Sequence, residues 1–428
     1  RGRARPSRVA QPALSAAALS RSKPVQPPSM QSPYTAWPAE PHVSAPLLVR
    51  FAMISIVAVS GGFFVSSGIR LVLPRAHPQP PALASFADGP GGPGAPLAKR
   101  VVVGMDTNIN LHIAFDDWDK WSQEMRPYWT DDMVYDFSFV GTWFSTRMVG
   151  LREWFDGEHM HYNVALPDCQ FVDFIRAAAN TTCTSASYGV ARWVAPIGGV
   201  APPAHHPLVL VPDLDFYQLR GERIAVNWCL IDVLSVFEQV GYRVLPPAPL
   251  PYHGYKPPNA MDGFPAPLSV RFPPSVAVES ERVWRAALEA DFDRAVPGAH
   301  WWAEDSVWYG PAGVGTAHGR AEYATHFLAP LHAAFSELTR LTDQVVCEGT
   351  ICGAHFYLYG KHTGPWLGEA PTGRRVPLRC GAHARIVDGQ IVEGWLILDI
   401  PLAFDAMGVD LFARASVAAE AAARAAAA

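Results

Sequence analysis

One stretch of the chain occurs twice, and this repetition limits the possible folds more than any other feature. The segment GERIAVNWCLID at residues 221–232 returns as DGQIVEGWLILD at residues 388–399. Its isoleucine, tryptophan and aspartate recur at an offset of 167 residues (395 minus 228), and upstream matches keep an offset of 169 (352 minus 183). A period of that length is the size of a domain, so the sequence predicts two copies of one domain rather than a stack of short repeats.

The order of elements in the second copy predicts an α+β unit. A helical pattern over residues 279–296 precedes a short strand, and a second helix follows Gly319. Three or four strands then close the unit, the last over residues 390–400, with the tight turn Asp388-Gly389 before it. Helices followed by such a run of strands indicate a curved antiparallel sheet wrapped around its helices.

An aspartate closes the last strand of each copy, where a charge is costly to bury. Alternation along the strand places Trp395 and Asp399 on one face, which we expect to be the concave face of the sheet. An ionised carboxylate in such a place needs a partner or a raised pKa. We therefore interpret Asp399 either as a pocket group with a chemical role or as a structural acceptor that ends the strand. Asp232 carries the same two alternatives.

Composition divides the rest of the chain. Residues 1–45 have no acidic residue before Glu40 and are rich in Ala, Ser, Pro and Arg, which predicts a disordered or organelle-targeting leader. The predicted segments are a basic leader at 1–45, a hydrophobic helix at 46–74, a linker at 75–104, domain 1 at 105–244, a proline-rich linker at 245–275, domain 2 at 276–412 and an alanine-rich tail at 413–428. We expect the tail to be a frayed surface helix without a core face.

Residues 51–69 contain no charged side chain and lie between two arginines. At about 1.5 Å per residue such a helix approaches the thickness of a bilayer core. A membrane span, part of a cleaved targeting sequence and an amphipathic core helix all fit, and we expect the span. The protein is then predicted to be single-pass and membrane-associated, in a plastid, a mitochondrion or the secretory pathway.

Charge and cysteine content exclude several classes of function. The net charge of −5 and the lack of a basic stripe exclude nucleic-acid binding. The six cysteines include no CxxC pair, and we expect core thiols rather than a zinc site or a disulfide framework. The histidines show no ligand spacing, so neither a metal nor another cofactor is predicted.

The segments HTGPWLGEAPTG (362–373) and HARIVDGQIVEGWLILD (383–399) resemble the SnoaL-like polyketide cyclase family. That family belongs to the nuclear-transport-factor-two-like superfamily of cone-shaped α+β barrels. The second copy is similar along its whole length, and the first copy is similar more faintly. The resemblance implies two cones, with a degenerate first copy. It also implies cofactor-free aldol-type chemistry on a small apolar carbonyl compound.

Transferred onto this sequence, the resemblance implies a catalytic Asp399 assisted by His383. The position after Trp395, acidic in some family members, is Leu396 here. The predicted ligand-binding residues are Trp395, Glu393, His355, Tyr357, Trp228 and Asp232. We expect the two cones to pair within the chain or through a homodimer. The alternative is a non-catalytic ligand-binding or scaffold module of a membrane assembly. A filled second cone, or a His383 on the outer face, would favour that alternative.

Overall fold

The computed structural model describes residues 96–112, 116–143, 145–252, 254–264, 272–293 and 300–427. The predicted leader, the hydrophobic segment 51–69 and most of the first linker lie outside these ranges. Within them, no helix is both long enough and apolar enough to cross a membrane.

The first cone is one six-stranded sheet with its helices. Its elements are α1 (Leu97–His112), α2 (Trp118–Met125), β1 (Trp129–Phe137), β2 (Arg147–Val149), α3 (Gly150–Trp154), a π-helical turn (Phe155–His159), α4 (Met160–Ala165), β3 (Gln170–Ala179), β4 (Thr182–Arg192), β5 (Leu208–Arg220), β6 (Arg223–Ile231) and α5 (Val233–Gln239). The strand order is β2-β1-β6-β5-β4-β3.

The second cone repeats this plan. Its elements are α6 (Pro274–Leu288), a π-helical turn (Glu289–Asp293), β7 (Trp302–Tyr309), β8 (Thr316–His318), α7 (Arg320–Tyr323), a π-helical turn (Ala324–Leu328), α8 (Ala329–Ala334), β9 (Phe335–Glu348), β10 (Ile351–His362), β11 (Arg375–Val387), β12 (Gln390–Leu398), α9 (Ile400–Met407) and α10 (Leu411–Ala427). Its strand order, β8-β7-β12-β11-β10-β9, matches that of the first cone.

The sheets are mixed, whereas antiparallel sheets were predicted. In each cone the first strand pairs in parallel with the last, β1 with β6 and β7 with β12, and the other pairs are antiparallel. A parallel pair needs a long crossover, and here the intervening helices and strands supply it. The α+β class is confirmed in this form.

Three boundaries differ from the sequence prediction. Helix α1 begins at Leu97, inside the predicted linker, because Ala98, Val101 and Val102 are buried apolar residues. Strand β12 ends at Leu398, since the next residue caps a helix. Helix α10 begins at Leu411, before the predicted tail, and the tail does have a core face, since Ala415 and Ala419 are buried.

The outer faces of the two sheets contact each other closely. The apolar cluster at this contact takes Ile175, Ala186, Leu214, Phe216 and Leu230 from the first cone and Tyr309, Ile351, Trp395 and Ile397 from the second. A Cβ at Gly353 would lie 2.8 Å from Thr184, and a Cβ at Gly381 would lie 2.8 Å from Phe216. Glycine at these two positions lets the sheets approach, so the contact is built into the sequence of β10 and β11.

One cysteine prediction is corrected. Cys347 and Cys352 face each other across the β9–β10 hairpin and form a disulfide. The other four cysteines are free and buried, as core thiols. Spacing did not indicate the disulfide, because its partners meet only once the hairpin register is known.

Candidate active site in the first cone

Asp399 is held by backbone groups of both cones. Its Oδ1 accepts a hydrogen bond from the Leu402 amide at 3.1 Å, which caps α9. Its Oδ2 accepts one from the Phe139 amide of the first cone at 2.8 Å. Burial raises the pKa of Asp399 to about 6, although both hydrogen bonds favour the ionised form.

Asp232 makes the mirror-image contacts. Its Oδ1 accepts from the Ser235 amide at 3.1 Å and caps α5. Its Oδ2 accepts from the Ala312 amide of the second cone at 2.8 Å. Burial raises the pKa of Asp232 to about 7. The repeated aspartate thus joins each cone to the other, which is the structural alternative stated above.

His383 lies on the outer face of the second sheet. Its Nε2 is 2.6 Å from Thr184 Oγ1, and its ring stacks on Phe216 with centroids 5.3 Å apart. Complete burial lowers the pKa of His383 to about 3, so the ring is neutral. No hydrogen bond joins His383 to Asp399 among the described residues, so the structure does not form the predicted catalytic pair.

His355 and its neighbours lie at the same contact between the two cones. His355 Nδ1 lies 2.9 Å from Asp343 Oδ2, and its Nε2 accepts a hydrogen bond from Arg379 Nε at 3.0 Å. Trp228 stacks on the His355 ring at 5.5 Å, and Tyr357 meets it edge-on at 5.6 Å. These three predicted ligand residues therefore bind one another.

Trp395 and Glu393 contact the linker between the cones. Trp395 donates its indole N–H to the Lys256 carbonyl at 2.8 Å. Glu393 Oε1 accepts from the Asn259 amide at 2.9 Å. The two residues share a face, as alternation predicted. That face is the outer one rather than the expected concave one. The sequence does not distinguish the two faces, because both faces of β12 are buried and side chains alternate between them.

Bulky aromatic side chains occupy the interior of the second cone. Ring centroids are 4.6 Å apart between Trp308 and Phe327 and 4.4 Å apart between Trp302 and Tyr323. Asp291 lies among them and accepts hydrogen bonds from Trp302 Nε1 at 2.9 Å and the Tyr323 hydroxyl at 3.0 Å. Burial raises the pKa of Asp291 to about 7. These rings and Asp291 pack against one another inside the second cone.

The first cone instead contains a cavity of about 50 Å³. At about 30 Å³ per water molecule in the liquid, that volume holds roughly two water molecules. Its aromatic lining consists of Trp121, Trp129, Tyr135, Trp154, Tyr162, Phe171 and Tyr217. Its carboxyl groups come from Asp106, Glu158, Asp173, Asp213 and Asp215. A cavity with both kinds of lining is the site in which the described residues could perform chemistry.

Asp213 and Asp215 form a coupled pair on the inward face of β5. Their carboxyl oxygens and the Cys229 sulfur lie within 4.8 Å of one another. Burial and the neighbouring Asp215 carboxylate raise the pKa of Asp213 well above its ordinary value. Burial also raises the pKa of Asp215, but the hydrogen bond from Asn227 and the charge of Arg176 oppose that rise. The pair therefore shares a proton rather than carrying two full charges, and Asn227 and Arg176 favour the ionised form of Asp215.

Glu158 supplies a second buried acid. It sits in the π-helical turn of the first cone and accepts a hydrogen bond from Trp154 Nε1 at 2.7 Å. Burial raises the pKa of Glu158 to about 8, so this carboxyl is protonated at neutral pH. A protonated carboxylic acid can donate a hydrogen bond to a ligand oxygen.

Trp129 lines the cavity with an indole N–H that has no hydrogen-bond partner among the described residues. The equivalent Trp302 in the second cone donates its N–H to Asp291. The strand register establishes the equivalence, since Trp129 pairs with Ile224 and Trp302 with Ile391. A buried donor without a partner is costly, so Trp129 is placed to bind an acceptor inside the cavity.

The family comparison concerns the other half of the chain. A family model described as SnoaL-like polyketide cyclase matches residues 282–401. The second domain is SnoaL-like. The first cone repeats the strand order of this SnoaL-like domain and is its tandem copy. No curated protein matches the chain.

Several solved structures are similar to parts of the chain. IdmH from Streptomyces antibioticus is 24% identical over 30% of this chain and 99% of its own, with a TM-score of 0.28. TsrD from Streptomyces laurentii is 20% identical over 31% of this chain and 96% of its own, with a TM-score of 0.28. An NTF2-like protein from Burkholderia thailandensis E264 is 21% identical over 30% of this chain and 96% of its own, with a TM-score of 0.26.

The SnoaL-like domain lacks the polar groups of its tandem copy. Strand pairing places Asp215 opposite Cys229 in the first cone and Ala382 opposite Leu396 in the second. At the positions equivalent to Asp213, Asp215, Asn227 and Cys229, the SnoaL-like domain has Cys380, Ala382, Gly394 and Leu396. The cluster of acidic side chains is therefore found in the copy with the fainter sequence resemblance.

The acidic cluster is better described as sharing protons than as a metal site. Cys229 lies in hydrogen-bonding position to Asp213 Oδ1 at 3.4 Å, and Asn227 donates to Asp215 Oδ1 at 2.9 Å. These donors already bind the carboxyl oxygens, so fewer oxygen lone pairs remain to coordinate one metal ion. One segment of the sequence indicates this cluster. In DLDFY, alternation along an apolar strand places two aspartates on one face.

Burial of several acids predicts that stability falls as pH rises from about 4 to 8. The pKa values of Glu158, Asp232, Asp291 and Asp399 are all raised in the folded state, so the unfolded chain releases these protons first. Each group then lowers the free energy of unfolding by up to about 1.4 kcal/mol per pH unit between its two pKa values. Urea unfolding at pH 5 and pH 8 measures the change in the free energy of unfolding with pH. Asp291→Asn is expected to make that change smaller. A stability that rises over this interval would contradict the prediction.

Proposed function

We propose that the protein catalyses cofactor-free acid–base chemistry on a small carbonyl compound, as an enolisation or aldol-type step, inside the first cone. The observation that carries the proposal is the cavity in which the Asp213–Asp215 pair and the partnerless N–H of Trp129 are brought together. The SnoaL-like character of the second domain supports the reaction class.

Asp215 is the base in this proposal. Enolisation transfers a proton from the carbon beside a carbonyl to a carboxylate, and the two electrons of the broken C–H bond form the enolate. With the shared proton on Asp213, Asp215 stays available as the acceptor. Burial raises the pKa of Asp215 toward the working pH, which suits proton abstraction from carbon.

Trp129 and Glu158 are the donors. The enolate oxygen gains negative charge as the C–H bond breaks, and hydrogen bonds to that oxygen lower the barrier. The indole N–H of Trp129 needs an acceptor, and Glu158 is protonated at neutral pH. Both are neutral donors, so they stabilise the enolate without lowering the basicity of Asp215 through a nearby positive charge.

The second cone supports the first in this proposal. Its disulfide and the contact that its Asp399 makes with Phe139 of the first cone suit a packing partner. Ligand binding by Asp399, His383 and the surrounding aromatic residues would require these groups to leave the contacts they make with one another.

Proton exchange tests the proposed activity. Acetone has four heavy atoms and acetylacetone seven, so one carbonyl end of either ketone would enter the cavity and the rest would lie toward the partly exposed side chains of Asp106 and Asp173. Acetylacetone releases its central protons more readily. Loss of their α-proton NMR signals in D₂O should be faster with the protein than with buffer. Treatment with EDTA should leave this rate unchanged. No acceleration with either ketone, or an acceleration abolished by EDTA, would overturn the proposal.

A further inference from the structure

The charge of the first-cone cavity is unbalanced. Arg176 contacts Asp106 and Asp173, two of the five lining carboxyl groups. The other three, Glu158, Asp213 and Asp215, receive hydrogen bonds from neutral donors such as Trp154, Cys229 and Asn227. Five carboxyl groups thus lie beside two basic side chains, Arg176 and His159, and this excess of acids favours a cationic ligand over an anionic one.

The aromatic wall beside these acids suits a cation of a particular kind. Trp154 contacts three other rings, with centroid distances of 4.9 Å to Trp121, 4.9 Å to Trp129 and 4.8 Å to Tyr135. The faces of such rings carry partial negative charge and attract alkylammonium groups, which are weakly hydrated. A small, strongly hydrated metal ion would gain less from this wall.

One polar atom in the cavity lacks a partner and could receive the N–H of such a group. Asn227 is 2% exposed and lines the cavity. Its Nδ2 donates to Asp215, but its Oδ1 has no hydrogen-bond partner within the described ranges. A protonated tertiary amine has one N–H to donate, whereas a quaternary ammonium has none.

We propose that the first-cone cavity binds the small alkylammonium group of an amine, with the Asp213–Asp215 pair as the counter-charge, the Trp154 aromatic wall around its methyl groups and Asn227 Oδ1 as the acceptor of its N–H. Such a substituent is a dimethylammonium, because a substituent with three methyl groups on its nitrogen has no N–H. The ammonium and the ketone would compete for one cavity, so the amine is a further ligand of the site, and the inference rests on the proposed function only for the location of that site. Asp106, Ile109, Phe171 and Asp173 are the partly exposed lining residues, and the remainder of the amine would leave the cavity past them.

Calorimetric titration with trimethylammonium chloride tests this inference. The full chain should bind it at least tenfold more tightly than tert-butanol, a neutral compound of similar size and shape. Asp213→Asn and Asp215→Asn should each weaken amine binding by about tenfold or more and leave tert-butanol unchanged. The matched control is Asp291→Asn, which removes a buried carboxyl from the second cone and should not alter either titration.

Equal affinity for the amine and the alcohol in the unmodified protein would overturn the inference, whether or not the variants fold. Amine affinity that survives both first-cone substitutions, or that is lost in Asp291→Asn, would also overturn it. Ketone exchange without amine binding refutes this inference and leaves the proposed function standing. Amine binding without exchange of any ketone refutes the proposed function and leaves the inference standing.

Discussion

Replacing Asp215 with asparagine is expected to lower the rate of α-proton exchange by about 10²- to 10⁴-fold, the range typical of a lost general base. Asparagine has nearly the same shape but cannot accept the proton. Its amide also leaves Asp213 without the neighbouring negative charge that raises the pKa of that carboxyl. NMR exchange rates for acetylacetone at pH 7, before and after the substitution, measure the effect.

The control for this prediction lies in the second cone. Asp291 is as deeply buried as Asp215 and also receives hydrogen bonds from neighbouring side chains, but it lies outside the first-cone cavity. Asp291→Asn should therefore leave the exchange rate within about twofold of the unmodified protein. If Asp291→Asn removes the activity while Asp215→Asn preserves it, the reaction belongs to the SnoaL-like domain and our assignment is wrong.

Replacing Asp399 with alanine is expected to destabilise the protein by about 2–4 kcal/mol. Loss of a helix cap costs roughly 0.5–2 kcal/mol, and a buried amide left without its acceptor costs roughly 1–3 kcal/mol. The two affected amides belong to Leu402 in the same cone and Phe139 in the other. Urea unfolding at pH 7, where the carboxylate is largely ionised, measures the change.

Asp410→Ala is the matched control for that substitution. Asp410 accepts a hydrogen bond from the Ala413 amide at 2.9 Å at the start of α10. Asp410 is exposed and makes no hydrogen bond to the first cone within the described part of the chain, so its loss should cost only about 0.5–1 kcal/mol. Equal losses for the two variants would mean that the bond from Asp399 to Phe139 contributes nothing to stability.

The repeat and the α+β order were readable from sequence because both depend on local pattern. The repeated Trp and Asp were correctly recognised as unusual, but the face of the sheet on which they lie was predicted wrongly. Trp395 follows the alternation that places residues on one face, and both faces of its strand are covered, one by the cone interior and one by the other cone. Only the packing of the two copies shows that the outer face is also apolar and buried.

The first-cone acids were predictable to different degrees. Asp213 and Asp215 are two residues apart in an apolar strand, and this spacing was sufficient to place both on one face. Glu158 comes from a π-helical turn, for which the sequence gives no comparable signal. The partnerless N–H of Trp129 was also beyond sequence reasoning, because its equivalent Trp302 is an identical residue with a different neighbour.

The most direct test of the central claim is a crystal structure of the protein grown with acetylacetone. We predict ligand density inside the first cone, within hydrogen-bonding distance of Trp129 Nε1 and beside the Asp215 carboxylate. Density inside the second cone, or beside Asp399 and His383, would contradict the account.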